Sequence, residues 1–528
     1  MISFRFSALL SLVLLAALIL SSCAPLLTPT PIPTPTNTFG IQPDSNGDLP
    51  QGVHLEPAHC AFGEVKGIDC GYLFVPEDRD HPEGTQVQLA VAIIRSSNPN
   101  PAPDPVLLLF SWLGGPGSQV MEAASGLQLA FKGILTDRDL IVFDWRGTGY
   151  SSPSLNCPEV ETQIMQDAPQ NLNQQESQQR ILKAYEACHD RLVQEDIDLS
   201  AYTNAADAAD VNDLRLALGY KEWNIVGDSY GTRLALRIMR DYPEGVRSVV
   251  FDSVYPPQAS MNTETAANAE RALKLLFERC ASDDACNTAY PNLESVFNDA
   301  VVQLDTKPIS FELTSQETGK TVTQLINGDR LIKLIVHLLH FTDMLPYLPK
   351  WIYEFYDGNA ESDSSLTSYM YFFVFSFEIP SEGKALSVQC GQEISSTSAE
   401  TIEAANTAVS IPRLAEAVDQ GATFTMCHAW DVKRDADIEN QAVVSDIPTL
   451  LLTGDNAPGS PPAWAVSTSE NLSRSYYFEI PWASQGMIYG GTPAAECARS
   501  MARAFIMDPT QAPDATCMNG LRVSFMTQ

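Results

Sequence analysis

Histidine is scarce in this chain: seven occur, and none lies after His428. Chemistry that takes its base from a C-terminal imidazole therefore has no candidate there. Positive charge is scarce too, with 32 Lys plus Arg against 65 Asp plus Glu and a formal net charge of -33. That balance argues against nucleic acid or an anionic lipid headgroup as partner and favours solubility. No CxxC pair exists, which removes the usual redox and zinc spacings. The apolar run LLSLVLLAALIL (9–20) is too short for a comfortable membrane span.

What is present fits a large folded protein. The chain has 528 residues and is 45% hydrophobic, ample for a sizeable core or two domains. Its start reads as a processing segment: Arg5 precedes the apolar run, which ends in LSSC at Cys23. This resembles the lipobox of bacterial lipoproteins. The resemblance implies a signal peptide over 1–22, a lipid on the Cys23 thiol, and an exported protein anchored to the membrane and facing outside. The next stretch, TPTPIPTPTNT (28–38), favours polyproline II and cannot form a core, so 23–49 reads as a tether.

Removing Cys23 from the 11 cysteines leaves ten, an even number that with export favours disulfides over free thiols. Spacing suggests Cys60 with Cys70 and Cys280 with Cys286. Longer candidates are Cys157 with Cys188, Cys390 with Cys427, and Cys497 with Cys517. Spacing alone leaves the connectivity open.

Apolar runs at 72–76, 87–94, 105–112, 139–145, 223–229, 246–253, 447–454 and 474–481 read as strands, with helical patterns between them. The middle runs are continuously apolar, as in a sheet covered on both faces. The expectation is an α/β fold with a mostly parallel sheet of about eight strands. Between 258 and 445 helix-like segments dominate. That region reads as an inserted cap, placed over the carboxyl ends of the strands, where such sheets bind ligands. The core is then split into 50–257 and 446–528. Within the cap, SYMYFFVFSFEIP (368–380) reads first as packing and second as pocket lining.

GDSYG (227–231) is a G-x-S-x-G pentapeptide between a strand and the helical pattern TRLALRIMRDY (232–242). In that context it reads as a nucleophile elbow with Ser229 at its tip. The Tyr230 N–H, with Gly114 and Gly115 of LGGPGS (113–118), is the candidate oxyanion hole.

GGPG (114–117), DWRGTGYSSP (144–153), GDSYGT (227–232) and the tail from 449 to 517 together resemble the secreted tripeptidyl aminopeptidase and proline iminopeptidase family of α/β-hydrolases. The resemblance covers nearly all of 55–525. It implies an α/β-hydrolase fold with a helical cap, a serine mechanism on peptide N-termini without metal or organic cofactor, and the same five disulfides.

It also exposes a defect. The family's acid lies in a stretch like G-x-x-D-x-x-T-P. Here the stretch is GDNAPGSPPAWA (454–465), and aligning on Pro461 and Pro462 puts Ala457 at the acid position, with Asp455 two residues before it. The family's histidine lies in a stretch like G-H-G, where PWASQGMIYGG (481–491) has Gln485. An amide cannot take a proton near neutral pH, so Gln485 is no general base. His337 and His428 are the cap histidines weighed as replacements, and His428 beside Cys427 reads as structural. Glu378 and Glu393 are weak candidates for a ligand's amino group. The expectation is an impaired peptidase relative that keeps a cleft for a peptide or small molecule. An active hydrolase with an unusual base is the alternative, and a purely structural scaffold a third.

Overall fold

A computed structural model describes residues 49–527, apart from 111–120, 122, 316–318, 376–380 and 419–421. The lipidation site Cys23, the processing segment, nearly all of the tether, Gly114, Gly115 and Glu378 lie outside the described residues.

Alternation along the strands builds two cores at once. In β4 (Val106–Leu109) and β6 (Trp223–Asp228), Leu107, Leu109, Trp223 and Ile225 pack on one face. Val106, Leu108 and Val226 pack on the other. Side chains that alternate across a strand and are apolar on both faces require cover on both faces. The remaining strands are β1 (His54–Ala58), β2 (Ile68–Pro76), β3 (Gln86–Ile94), β5 (Leu140–Phe143), β7 (Val246–Asp252), β10 (Thr449–Gly454) and β11 (Ser475–Ile480). They form a nine-stranded sheet in the order β1-β2-β3-β5-β4-β6-β7-β10-β11.

The sheet is more mixed than the sequence pattern suggests. The first strands pair antiparallel, β1 with β2, β2 with β3 and β3 with β5, and the others run parallel. The additional strand is β1, whose HLEPA sequence is half exposed and lacks an apolar run.

Between β7 and β10 the chain forms helices around a core of their own, centred on Leu331, Ile335, Phe297 and Trp351. The region is not purely helical. It holds a hairpin of β8 (Ile309–Thr314) and β9 (Thr321–Ile326), whose strict alternation of buried and exposed residues in β8 is the period of a half-buried strand. Buried charges tie this region to the sheet domain. Lys384, on the helix Glu382–Val388, reaches Asp207 of the sheet domain at 2.7 Å, and within that domain Arg146 pairs with the neighbouring Asp210 at 2.7 Å, all fully buried.

Five disulfides join Cys60–Cys70, Cys157–Cys188, Cys280–Cys286, Cys390–Cys427 and Cys497–Cys517. Such a set suggests an exported protein. Among the described residues no helix is long and apolar enough to cross a membrane.

Candidate active site

Ser229 stands between β6 and the helix Tyr230–Asp241 with φ 48° and ψ -117°. A non-glycine residue held there costs about 1–3 kcal/mol, a strain the surrounding packing must sustain. The turn brings the helix start against the neighbouring strand. A Cβ on Gly231 would sit 2.0 Å from the Leu109 carbonyl oxygen, so only glycine fits. Tyr230 is the first residue of the helix, where backbone N–H groups lack intrahelical acceptors, and its buried hydroxyl accepts from Asn204 Nδ2 at 3.0 Å.

Gln485 faces Ser229. Its Nε2 donates to Ser229 Oγ at 3.4 Å and to Ser460 Oγ at 3.3 Å. Its Oε1 accepts the Gly459 N–H at 2.9 Å, which fixes the direction of the amide. The side chain facing the nucleophile is therefore a donor, the reverse of what proton abstraction needs.

Ala457 is fully buried, and its carbonyl accepts from Arg271 at 2.5 Å. Asp455 does not stand in for the missing acid. Its carboxylate pairs with Arg279 and accepts the Trp482 N–H at 3.1 Å, while Arg279 lies 4.2 Å over the Trp482 ring. Two arginines from the helix Met261–Ser282 thus hold the loop after β10 by its carbonyls and its one acid.

A cavity of about 410 Å³ opens beside the serine. Its lining includes Asp228, Ser229, His340, Asp343, Tyr369, Gln485 and Tyr489. Tyr369 belongs to the aromatic run and serves both readings, since it lines the cavity and packs 6.1 Å from Trp351. Glu393 stands outside this cavity lining: it is buried, one carboxylate oxygen accepts the Tyr255 hydroxyl at 2.9 Å, and the other has no hydrogen-bond partner. His428 also stays out of the lining, on the helix Ala422–Trp430 beside the Cys390–Cys427 bridge.

The cap histidine in the cavity is His340, which sequence reasoning passed over in favour of His337. His340 follows the helix Gly328–Leu338, and its carbonyl accepts the Gln485 N–H at 3.2 Å. Its Nδ1 donates to the carbonyls of Val336 and His337 at 3.0 and 3.2 Å. That tautomer leaves Nε2 as an acceptor, 3.0 Å from where a Gly459 Cβ would stand, beside the Gln485 amide. Burial lowers the His340 pKa, so the ring is neutral at pH 7 but a weakened base. Burial pushes His337 down as well, to about 3.

Asp228 lies inside the GDSYG pentapeptide, but the motif does not single it out. Asp228 ends β6 and Asp252 ends β7, partners in register. Burial and the charge of Asp252 push Asp228 well above the ordinary carboxyl range. Burial also raises Asp252, to about 6, against the Ile488 N–H that it accepts at 2.8 Å. The cluster of Cys157, Glu159 and Cys188 has the spacing of a metal site, but both sulfurs are spent in a disulfide.

Comparison with known proteins agrees with the fold. Residues 104–289 match the family described as alpha/beta hydrolase fold, and 416–517 the family described as TAP-like protein. Serine protease Hip1 of Mycobacterium tuberculosis is 28% identical over 252 residues, 46% of this chain and 47% of that protein. Tripeptidyl aminopeptidase of Streptomyces lividans is 30% identical over 214 residues, 39% of each chain. These matches span about half or less of those curated relatives. Among solved structures, a bromoperoxidase from Bacillus anthracis aligns with a TM-score of 0.35 at 13% identity, covering 83% of this chain and 99% of that one. By its elbow, its sheet and both family matches, the chain belongs to the α/β-hydrolases, among their serine-peptidase-like members.

Proposed function

We propose that this protein is an exported, lipid-anchored relative of the serine aminopeptidases that binds a peptide or small molecule in its cleft and is impaired in hydrolysis. One observation carries the reading: the Gln485 amide is locked with its NH2 toward Ser229 Oγ, so the group in the base position donates where a base must accept. Removing triad members in a well-studied serine protease leaves only about 10³–10⁴-fold catalysis over water. A panel of aminoacyl and tripeptidyl fluorogenic substrates, run with wild type and Ser229→Ala, tests it. The two proteins are expected to be equally slow. Serine-dependent turnover at ordinary enzyme rates sinks the reading.

A second reading rests on His340. Its Nε2 acceptor lies beside Gln485, and a water between Nε2 and Ser229 Oγ would carry the proton to a base supplied by the cap. In that case fluorophosphonate labels Ser229 in wild type, and His340→Ala abolishes the labelling.

A further inference from the structure

Beyond Cys517, which is bonded to Cys497 of the helix Pro493–Met507, the chain alternates between half-buried and exposed residues. Leu521, Val523 and Phe525 turn inward, while Arg522, Ser524 and Met526 face out. That is the period of an extended segment laid along a surface. Its inward side chains do not share one core. Leu521 packs against the core on one face of the sheet, whereas Val523 and Phe525 pack against the core of the inserted cap. The segment therefore crosses the joint between the two. Polar contacts hold it to the cap: the Met526 N–H donates to the Pro346 carbonyl at 2.9 Å, the Tyr290 hydroxyl donates to the Met526 carbonyl at 2.9 Å, and Arg522 pairs with Asp283 at 2.8 Å. On its other side stands Trp482, in the loop after β11. That ring meets the Phe525 ring edge-on at 6.0 Å and lies 5.9 Å under the Arg522 guanidinium. Both gripping points adjoin the cavity. Pro346 follows 340–344, which line it from the cap, and Trp482 precedes 485–487, which line it from the loop. The two walls also touch directly, where the Ser484 N–H donates to Thr342 Oγ1 at 2.9 Å.

We infer that residues 521–526 form a strap that fastens the cap to the loop carrying Gln485, so that the cleft admits larger molecules when the strap lets go. The grip is light, as a gate requires. The Arg522 side chain is 61% exposed, where an ion pair is screened and weak, and the inward residues are only half-buried. Segments with so few buried contacts open at a small fraction of the cost of global unfolding. A strap of this kind acts in the same way whether or not Ser229 hydrolyses anything.

Ser229→Cys in the full chain places a reporter thiol at the cavity, and mass spectrometry of the elbow peptide reads its alkylation apart from every other cysteine. Iodoacetamide is the small probe and fluorescein maleimide the bulky one. Adding Arg522→Ala with Phe525→Ala should speed the bulky probe about tenfold, the factor expected when a half-buried ring and a screened ion pair are lost. The small probe, which needs no wider mouth, should stay within about twofold. Arg522→Ala alone changes an exposed side chain that the fold does not need, and it should speed the bulky probe about threefold, so the test survives if the double variant fails to fold. Ser524→Ala, on the outward side, should change neither rate. Hydrogen exchange should quicken at 340–346 and 482–486 in the strap variants and stay unchanged in β6 and β7. An unchanged rate for the bulky probe overturns the strap, since the cleft then opens without it. An equal rise for both probes also overturns it, because the elbow itself has loosened. So does faster exchange that spreads into β6 and β7, which makes the segment a support of the whole fold.

Discussion

Placing the family's histidine and aspartate at positions 485 and 457 tests the proposal that Gln485 and Ala457 leave Ser229 unactivated. The Gln485 side chain already lies on the nucleophile at 3.4 Å, and the loop of the missing acid touches it through the Gly459 N–H at 2.9 Å. An imidazole in place of the amide replaces a donor by an acceptor at that position. Positioned acid–base groups contribute about 10²–10⁴-fold, so Gln485→His with Ala457→Asp should raise the rate of fluorophosphonate labelling of Ser229 by about that factor. Ala457→Asp alone buries an unpaired charge at a fully buried position and should cost about 3–5 kcal/mol of stability. Adding Gln485→His supplies a donor to that carboxylate, and the pair should recover about 0.5–3 kcal/mol in a double-mutant cycle. Labelling kinetics by mass spectrometry and urea unfolding measure the two effects. A folded double variant that labels no faster than wild type refutes the reasoning. So does a wild type that already labels at the restored rate, since Ser229 would then have another activator.

Three further outcomes follow from the same geometry. For the Asp228–Asp252 pair, a folded pKa raised above the unfolded one makes the native state hold protons that the unfolded chain has released. Stability therefore falls as pH rises from the model-peptide range of about 4 through Asp252's value of about 6. Melting temperature against pH should show that decline in wild type and a smaller one in Asp228→Asn, and identical profiles contradict it. Lys384→Met leaves Asp207 charged and alone in the interior, at a cost of about 3–5 kcal/mol by urea unfolding, and Asp207→Leu added to it should return most of that loss. Gly231→Ala forces a methyl 2.0 Å from the Leu109 oxygen and should abolish soluble protein, whereas Gly491→Ala meets nothing within 4 Å and should express normally.

Much of this was legible because strand and elbow signals are local. WNIVGDSYG carries its own strand, turn and helix start, and the register of β6 on β7 follows from two apolar runs. The hairpin β8–β9 was missed because ISFELT and TVTQLI sit among helical patterns and are only half apolar. The choice of His337 over His340 failed for a different reason. Both lie in HLLH (337–340), and periodicity does not say which residue ends the helix and turns toward the sheet. Glu393 looked available as an acid in a polar stretch, and only the fold brings the Tyr255 hydroxyl to it. Asp228 and Asp252 did leave a trace, for GDS (227–229) and FDS (251–253) end neighbouring parallel strands with the same dipeptide.

On the proposed reading, that repeated Asp-Ser gives the elbow a different setting in this chain. A nucleophile serves chemistry only when its proton has somewhere to go, and here the nearest side chain offers hydrogens instead. One of the two buried acids beside it, Asp228, has the opposite surplus, an oxygen with no hydrogen-bond partner. Gln485 belongs to the loop that joins these two features. Its amide holds Ser229 and Gly459, and its successors Met487 and Ile488 present backbone N–H groups to Asp252. The loop that carries the base in an active relative thus fixes the serine and steadies one carboxyl of the pair, leaving Asp228 to face the cavity. A site so arranged has its unsatisfied valence in the acid, not the hydroxyl.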